Sequence, residues 1–502
     1  MTHRVMIITV PRQDVVRPPG ILAILAACCE QVSADYRIFD LNLHMHKALP
    51  ADAVDILNAD FAVNLFSQGS AENYDRACAT AVQEIKDYDP TIVAISVFTR
   101  QSILAAKAFL QYLRNTITNP RYKIVIGGLG VGDVFHDITG TESFGPWAVA
   151  NALADHYITG EGELSFIEFL KGNLDYAGID GRPNQQIMDL DELPSPSYKR
   201  IRPQDYFYSN APEVLITGSK GCVRDCTFCN VGYYWEKYVY RSGIKIADDL
   251  YQIYKDTGVM KFDFSDSLIN GSLKAFRQFN RRLIELREQD PGFRPQYKGQ
   301  YICRPIGQMK DQDYVDMKLA GAETLIVGIE HFSEHIRTHM RKHFDNPSID
   351  WHFAKCAELG IKNVLLMLSG YATESIEDHH INMEYLHRYQ KYGLSRIIYA
   401  VNIAVSGLSI HKGMPLYEMA EEMGLLVTDD NWQTWLNLKN PELTPRERIR
   451  RAAEIVYTAG RLNYNVVHFN QKIADLKRYL ADLDKEPAKG KTIPIMPAEF
   501  LS

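Results

Sequence analysis

The sequence predicts an α/β protein: two successive parallel-sheet domains and a mostly helical C-terminal region. Three observations carry that expectation. Short apolar runs alternate with helix-length stretches over the first 175 or so residues, a proline-bearing connector follows, and six more strand–helix repeats run on from residue 212. Strands separated by whole helices pair in parallel through crossovers, because a hairpin needs only a short turn.

The first domain, residues 1–175, opens with a buried-type strand from Val5 to Val10 and a helix from Gly20 to Cys29, rich in Ala, Ile and Leu. Tyr36 to Leu41 is a second strand. Thr91 to Phe98, Lys123 to Ile126 and His156 to Thr159 are the next three, with a helix from Ser102 to Arg114 between the first two of them. A doubly wound sheet of this kind takes ligands at the carboxyl ends of its strands. The loops at that edge hold Pro18-Pro19-Gly20, the stretch Ser96 to Ser102, Gly127-Gly128-Leu129-Gly130 and Thr159-Gly160-Glu161-Gly162-Glu163. Glycines there let a bulky ligand approach the backbone. They equally suit the tight turns of any doubly wound domain.

Residues 176–211 form the connector, where Leu193-Pro194-Ser195-Pro196-Ser197-Tyr198 keeps the chain extended. Beyond Pro212, strands at Val214–Thr217, Phe262–Phe264, Gln300–Cys303, Thr324–Val327, Asn363–Leu368 and Ile397–Asn402 alternate with helices. The helices lie at Ile246–Thr257, Leu273–Glu288, Asp311–Ala320, Ile349–Leu359 and Ser375–Tyr392. This pattern predicts a partial (β/α)6 barrel over residues 212–410, with functional loops at the strand carboxyl ends. In the last region, 411–502, Thr444–Arg461 and Asn470–Leu483 read as helices. The first has Thr444 as N-cap and Pro445 at its first helical position.

At 502 residues the chain exceeds what one core serves, so several domains are expected. Hydrophobic residues make up 46% and charged residues 23%, which is ordinary globular usage. No apolar stretch is long enough to span a membrane. A net charge of −7 argues against general nucleic-acid binding, and the basic run Arg446-Glu447-Arg448-Ile449-Arg450-Arg451 reads as a solvated helix face. The chain starts directly in a strand without a signal-peptide pattern and is sparse in cysteine. Both features lead to the expectation of a reducing, cytoplasmic setting.

The most informative local feature is Gly221-Cys222-Val223-Arg224-Asp225-Cys226-Thr227-Phe228-Cys229-Asn230, three thiols on one tight loop in CxxxCxxC spacing. A structural zinc site closes with four protein ligands. An iron–sulfur cube held by three cysteines keeps one iron open to another molecule. Cys28, Cys29, Cys78, Cys303 and Cys356 repeat no metal spacing; half of a zinc site completed from elsewhere, or plain buried thiols, are the competing readings.

This spacing, with Phe228 just before the last cysteine, resembles the signature of the radical S-adenosylmethionine (SAM) superfamily. The resemblance implies a 4Fe-4S cluster on Cys222, Cys226 and Cys229 whose open iron chelates SAM, and reductive cleavage of SAM to a 5'-deoxyadenosyl radical. It also implies a cellular reductant such as flavodoxin or ferredoxin. By the same resemblance Ser265 and Asp266 lie near the SAM amino group, Arg304 is placed to pair with a carboxylate, and Glu330 of Gly328-Ile329-Glu330-His331 lies near SAM. Gly370 opens Gly370-Tyr371-Ala372-Thr373-Glu374, where relatives carry Gly-x-Pro-x-Glu-Thr; here Ala372 replaces the proline. Each of these charged residues could instead belong to a structural ion pair. Tyr233, Tyr234, Trp235, Tyr238 and Tyr240 resemble the aromatic stretch that follows the cysteines, with core packing as the alternative. Gly413-Met414-Pro415-Leu416-Tyr417 resembles the segment that follows the barrel.

The loops of the first domain, taken in order, resemble the cobalamin-binding domain upstream of the barrel in one large branch of the superfamily. The resemblance places Gly127, Gly128, Gly160, Glu161 and Gly162 against the corrinoid and Thr99 or Arg100 beneath cobalt. The Asp-x-His-x-x-Gly motif of classical cobalamin proteins is absent; His44, His46 and His136 lack its spacing. Some relatives keep the fold without the vitamin. The implied activity is cobalamin-dependent methylation of an unactivated carbon of an unidentified organic substrate. Radical rearrangement, cyclisation or oxidation without methyl transfer is the alternative, and a non-catalytic iron–sulfur protein is the third.

Overall fold

The computed structural model describes residues 3–11, 15–47, 70–99, 102–132, 143–206, 211–428 and 432–485. Arg100 and His136 lie outside the described residues. The chain forms two compact units, Met1–Ile216 with Lys245–Asp263, and Thr217–Ile244 with Phe264–Ser502.

In the first unit β1 (Arg4–Thr9), α1 (Gly20–Gln31), β2 (Asp35–Asp40), α2 (Leu41–Lys47), α3 (Ser70–Tyr88), β3 (Ile92–Ser96) and α4 (Ile103–Thr116) follow one another. They lead into β4 (Lys123–Gly127), α5 (Phe144–Ala150), β5 (His156–Ile158) and α6 (Gly162–Leu170). The strands are all parallel, in the order β2-β1-β3-β4-β5. The order reverses between β1 and β3, which is where doubly wound sheets open a ligand crevice. Every residue of β3 is buried, as helices on both faces of a parallel sheet require. Helix α3 contains Cys78, whose surroundings read as helix-like in the sequence, although charged residues dilute its apolar positions and hide its bounds. Tyr74, Cys78, Ala81, Val82 and Ile85 nevertheless recur at helical spacing and are buried in the core of this unit.

The connector is docked rather than free. Ser197 donates its N–H to the Ala23 carbonyl (3.0 Å) and its hydroxyl to Glu30 (2.6 Å). Arg200 pairs with Asp35 (2.8 Å), and the Tyr206 hydroxyl donates to the buried Asp40 carboxyl (2.7 Å).

All six strands expected for the barrel are present. Along the chain come β6 (Glu213–Ile216), α7 (Gly243–Thr257), β7 (Lys261–Phe264), α8 (Leu273–Gln289), β8 (Gln296–Tyr301), α9 (Asp311–Ala320) and β9 (Ala322–Glu330). Then follow α10 (Glu334–His339), α11 (Asn346–Leu359), β10 (Lys362–Met367), α12 (Ile376–Arg388), β11 (Ile398–Ile403), α13 (Pro445–Arg461), β12 (Asn465–Val466) and α14 (Phe469–Lys485). Within the second unit β8, β9, β10, β11 and β12 are neighbours in that order, all parallel.

Two expectations need correction. The strand placed at Gln300–Cys303 starts four residues earlier, at Gln296, and Cys303 lies beyond its end. The polar run Gln296-Tyr297-Lys298-Gly299-Gln300 hides a strand that buries only alternate residues, Tyr297, Gly299 and Tyr301. The basic run of α13 is not simply a solvated face, since Arg448 and Arg451 are buried. Thr444 does cap this helix, accepting the Glu447 N–H at 3.1 Å.

Candidate functional site

The cysteine loop lies in the second unit, and its three thiols are free. Cys226 is buried, Cys222 and Cys229 half-buried. Burial pushes the Cys226 thiol up to about 11, and its two sister thiols push the same way; the Lys342 ammonium opposes them. Cys229 is also raised by burial, against a hydrogen bond from the Val231 backbone. Among the described residues no three His, Cys, Asp or Glu side chains are gathered closely enough to hold one metal ion. A tetrahedral zinc ion would require such convergence. An iron–sulfur cube takes one cysteine per corner and does not.

Lys342 is the neighbour that sequence reasoning missed. Its ammonium is buried beside the loop, 3.1 Å from Glu330 and 5.6 Å from the centre of the Phe228 ring. Burial alone would lower its pKa, but Glu330 and the Cys226 thiol carry it above the usual lysine range. Glu330 therefore stands at the carboxyl end of β9, as expected, but engaged in an ion pair. A local bulge in the β9–β10 register accompanies its positive φ of 63°. Arg341 and His343, flanking Lys342, are also left-handed, at 57° and 53°. Three strained non-glycine residues around one ion pair mark a place where local structure is over-determined.

Asp266, at the end of β7, is buried and turned toward the chain entering the cysteine loop. It accepts the Gly218 N–H (2.9 Å) and the Ser219 hydroxyl (2.6 Å). Burial raises its carboxyl to about 7. Ser265 shares a hydrogen bond with Thr217 (2.8 Å). Arg304 binds the carbonyls of Asn270 and Gly271 through one terminal nitrogen, at 2.5 and 2.7 Å. Its Nε is buried without a partner, and so is the Nε of Arg224 inside the cysteine loop. Burial, and then Arg224, lower the Arg304 pKa. Two neighbouring guanidiniums with unmet donors have the chemistry to pair with a carboxylate. Sequence spacing could not pair them; Arg224 was visible only as a basic residue within the motif.

Gly370 has a φ of 75°, and a side chain there would collide with Arg448 at 2.5 Å. Its N–H and that of Tyr371 both donate to Glu374, a fully buried carboxylate, at 2.5 and 3.0 Å. This turn forms with Ala372 in place of the family's proline. None of the five aromatics after the cysteines is buried, so core packing does not account for them.

At the carboxyl edge of the first sheet Phe98, Leu104 and Leu129 are 49%, 38% and 41% exposed, an apolar surface in the loop set expected to face a ring. Thr99 there shares a 3.4 Å contact between hydroxyls with Ser102. Gly127 ends β4, while Gly128 (φ 111°) brings that loop so near the third that a Cβ would sit 2.5 Å from the Val97 carbonyl. Gly160 (φ 71°) admits Asn184, whose amide donates to the carbonyls of Thr159 and Glu161. Gly162 opens α6, and the Glu161 carboxylate accepts the Ile187 N–H. These residues thus fasten the connector to the sheet edge.

No family model matches the chain. An anaerobic magnesium-protoporphyrin IX monomethyl ester cyclase of Synechocystis is 24% identical over 241 residues, covering 44% of this chain and 45% of the relative. An uncharacterized methyltransferase of Pyrococcus horikoshii is 24% identical over 270 residues, covering 50% and 54%. The chain thus spans about half the length of the curated relatives it matches. Among solved structures, the radical SAM methyltransferase TsrM from Kitasatospora setae, with cobalamin and a 4Fe-4S cluster bound, superposes with a TM-score of 0.61 at 13% identity. The match covers 97% of this chain and 100% of TsrM. The cobalamin-dependent radical SAM enzyme OxsB also gives 0.61, at 14% identity, covering 91% and 67%. A doubly wound domain leading into a parallel-stranded partial barrel is common to them. By fold, this chain is similar to the cobalamin-dependent radical SAM enzymes TsrM and OxsB.

Proposed function

We propose that this protein cleaves SAM reductively at a 4Fe-4S cluster held by Cys222, Cys226 and Cys229, and uses the resulting 5'-deoxyadenosyl radical for cobalamin-dependent methylation of an unactivated carbon. The observation that carries the reading is the loop of three free thiols beside two guanidiniums whose Nε atoms lack partners. The thiols are the donor set for three corners of a cube, and Arg224 with Arg304 fits the carboxylate of SAM. Exposed Phe98, Leu104 and Leu129 fit the apolar face of a corrinoid. When bound, the cluster supplies one electron to break a sulfonium carbon–sulfur bond and the corrinoid a means of carrying methyl.

The chain's own residues do the rest. Asp266 fixes the Gly218 backbone and the Ser219 hydroxyl at the entry to the loop, Phe228 sets its ring 5.6 Å from the Lys342 ammonium, and Glu330 holds that ammonium where its charge opposes the rise of the Cys226 pKa. On this reading residues 1–175 carry the corrinoid, 176–211 the connector, 212–410 the radical chemistry and 411–502 the substrate region. The electron comes from a flavodoxin or ferredoxin in a reducing cytoplasm. The likeness to a cyclase favours a second reading, radical cyclisation or oxidation without methyl transfer.

Oxygen-free protein reconstituted with iron and sulfide, then given SAM and dithionite, is expected to release 5'-deoxyadenosine. Cys226→Ala is expected to release none, and an equal yield from that variant would refute the reading. Protein purified after growth with cobalamin is expected to show a corrinoid absorption band; its absence would leave only the second reading.

A further inference from the structure

The buried residues of α13 meet the turn after β10 that carries Gly370 and Glu374, and through it they end on the cysteine loop. Thr227, between Cys226 and Cys229, is completely buried. Its N–H donates to the Met340 carbonyl (3.3 Å), and its own carbonyl accepts the Leu416 N–H (2.8 Å). The Thr227 and Tyr371 hydroxyls are 2.8 Å apart, and both lie within reach of the His339 carbonyl, at 3.2 and 3.1 Å. Three distant segments therefore converge on Thr227, one of the two residues that space the second and third thiols.

Tyr371 is fixed in turn. Its backbone N–H donates to Glu374, and the other oxygen of that carboxylate accepts from Arg451 Nη1 at 3.1 Å. Burial opposes the charge on Glu374, but His331, Arg451 and His379 around it hold its pKa below the usual carboxylate range. Arg451 also binds the carbonyls of Glu374 and Ser375, at 3.1 and 2.9 Å. A continuous polar chain thus runs from α13 through Glu374 and Tyr371 to Thr227. Every member is nearly or fully buried, which makes each lost bond costly.

We propose that Tyr371 is a positioning residue for the cluster loop and that Arg451 and Glu374 hold it there, so that α13 governs the geometry of the thiols. The proposal deepens the functional reading, because the loop placed by this chain is the one that would grip the cluster. Tyr371→Phe removes one hydroxyl and keeps a ring packed among Ile336, Met340 and Leu416. Arg451→Met cuts the chain at its far end, and Arg451→Lys restores a cation.

The first readout is amide hydrogen exchange over residues 220–232 in metal-free, reduced protein, which needs no cofactor. Exchange there is expected to rise about tenfold in Tyr371→Phe and in Arg451→Met, corresponding to the loss of roughly one buried hydrogen bond. Arg451→Lys is expected to recover most of the protection. Arg450→Met, which loses only the ion pairs to Glu447 and Glu454 on the same helix, is expected to leave it unchanged. The second readout is the electron paramagnetic resonance spectrum of reconstituted, dithionite-reduced protein with and without SAM; Tyr371→Phe is expected to keep the signal but broaden it and blunt its response to SAM. Wild-type exchange rates in both Tyr371→Phe and Arg451→Met would overturn the proposal even if the wild type cleaves SAM. A wild type without iron or sulfide would instead overturn the functional reading, leaving the exchange result to stand by itself.

Discussion

Lys342→Met is the most demanding test of the site's electrostatics. The substitution keeps the length of the side chain and deletes its charge, leaving the Glu330 carboxylate 13% exposed and without its ion-pair partner. At the observed 3.1 Å an effective dielectric of about 20 gives an attraction of about 5 kcal/mol, and broken buried pairs cost about 3–5 kcal/mol. In urea this amounts to a fall in midpoint on the order of 1 M or more for the second unit. Glu330→Gln removes the other charge, and the double variant removes both. The pair is expected to be non-additive, the double variant losing at least about 2 kcal/mol less than the two single losses combined. The same ammonium opposes the rise of the Cys226 pKa, so alkylation of Cys226 by iodoacetamide at pH 9 is expected to slow in Lys342→Met. A loss under about 1 kcal/mol, or strictly additive losses, would refute the argument that this pair is buried and coupled.

Three further outcomes are expected. The Asp266 carboxyl is raised to about 7 when folded, against 3.8 for the free group, so between those values the native state holds a proton that the unfolded chain has lost. Stability of the second unit should therefore decline as pH rises from about 4 to 7, and Asp266→Asn should flatten that slope in a series of urea titrations. Gly128→Ala places a Cβ 2.5 Å from the Val97 carbonyl at a φ of 111°, which should cost the first unit about 1–3 kcal/mol and lower its thermal midpoint by several degrees. Arg304→Met and Arg224→Met should each weaken SAM binding by about tenfold in equilibrium dialysis with reconstituted protein, the worth of one charged hydrogen bond.

How much of this was legible beforehand follows from the range of the interactions. Strands and helices appear where expected because their signals are local: apolar runs, the Thr444 cap, the spacing of Gly370 and Glu374. Gln296–Tyr301 was misplaced because its strand character lies in alternation rather than in composition. Arg448 and Arg451 read as solvent-facing because their neighbours along the chain are charged. What buries Arg451 is Glu374, 77 residues away; Arg448 instead lies 3.8 Å over the Trp435 ring and donates to the carbonyls of Leu443 and Gln433. The cysteine triad needed no folding to be seen. Its surroundings did, since Lys342 reaches the loop from the turn after α10, Arg304 from the end of β8 and Tyr371 from the turn after β10.

That distribution of charge points to a division of labour. Each acid singled out as a candidate ligand contact is already engaged by the protein: Asp266 with Gly218 and Ser219, Glu330 with Lys342, Glu374 with the Gly370 turn and Arg451. Among the described residues, the guanidiniums of Arg224, inside the loop, and of Arg304 each keep a buried Nε with no hydrogen-bond partner. On the proposed reading, the acids build the frame and the two arginines face the ligand. Three thiolates brought to one loop repel one another, and the sister thiols do raise the pKa of Cys226. Lys342 offsets that repulsion from a fixed, buried position, whereas the two arginines retain donors for an incoming anion. On the proposed reading, a site assembled this way would accept a molecule that brings a carboxylate to the arginines and donors to an open corner of a cluster, which is the chemical description of an α-amino acid group.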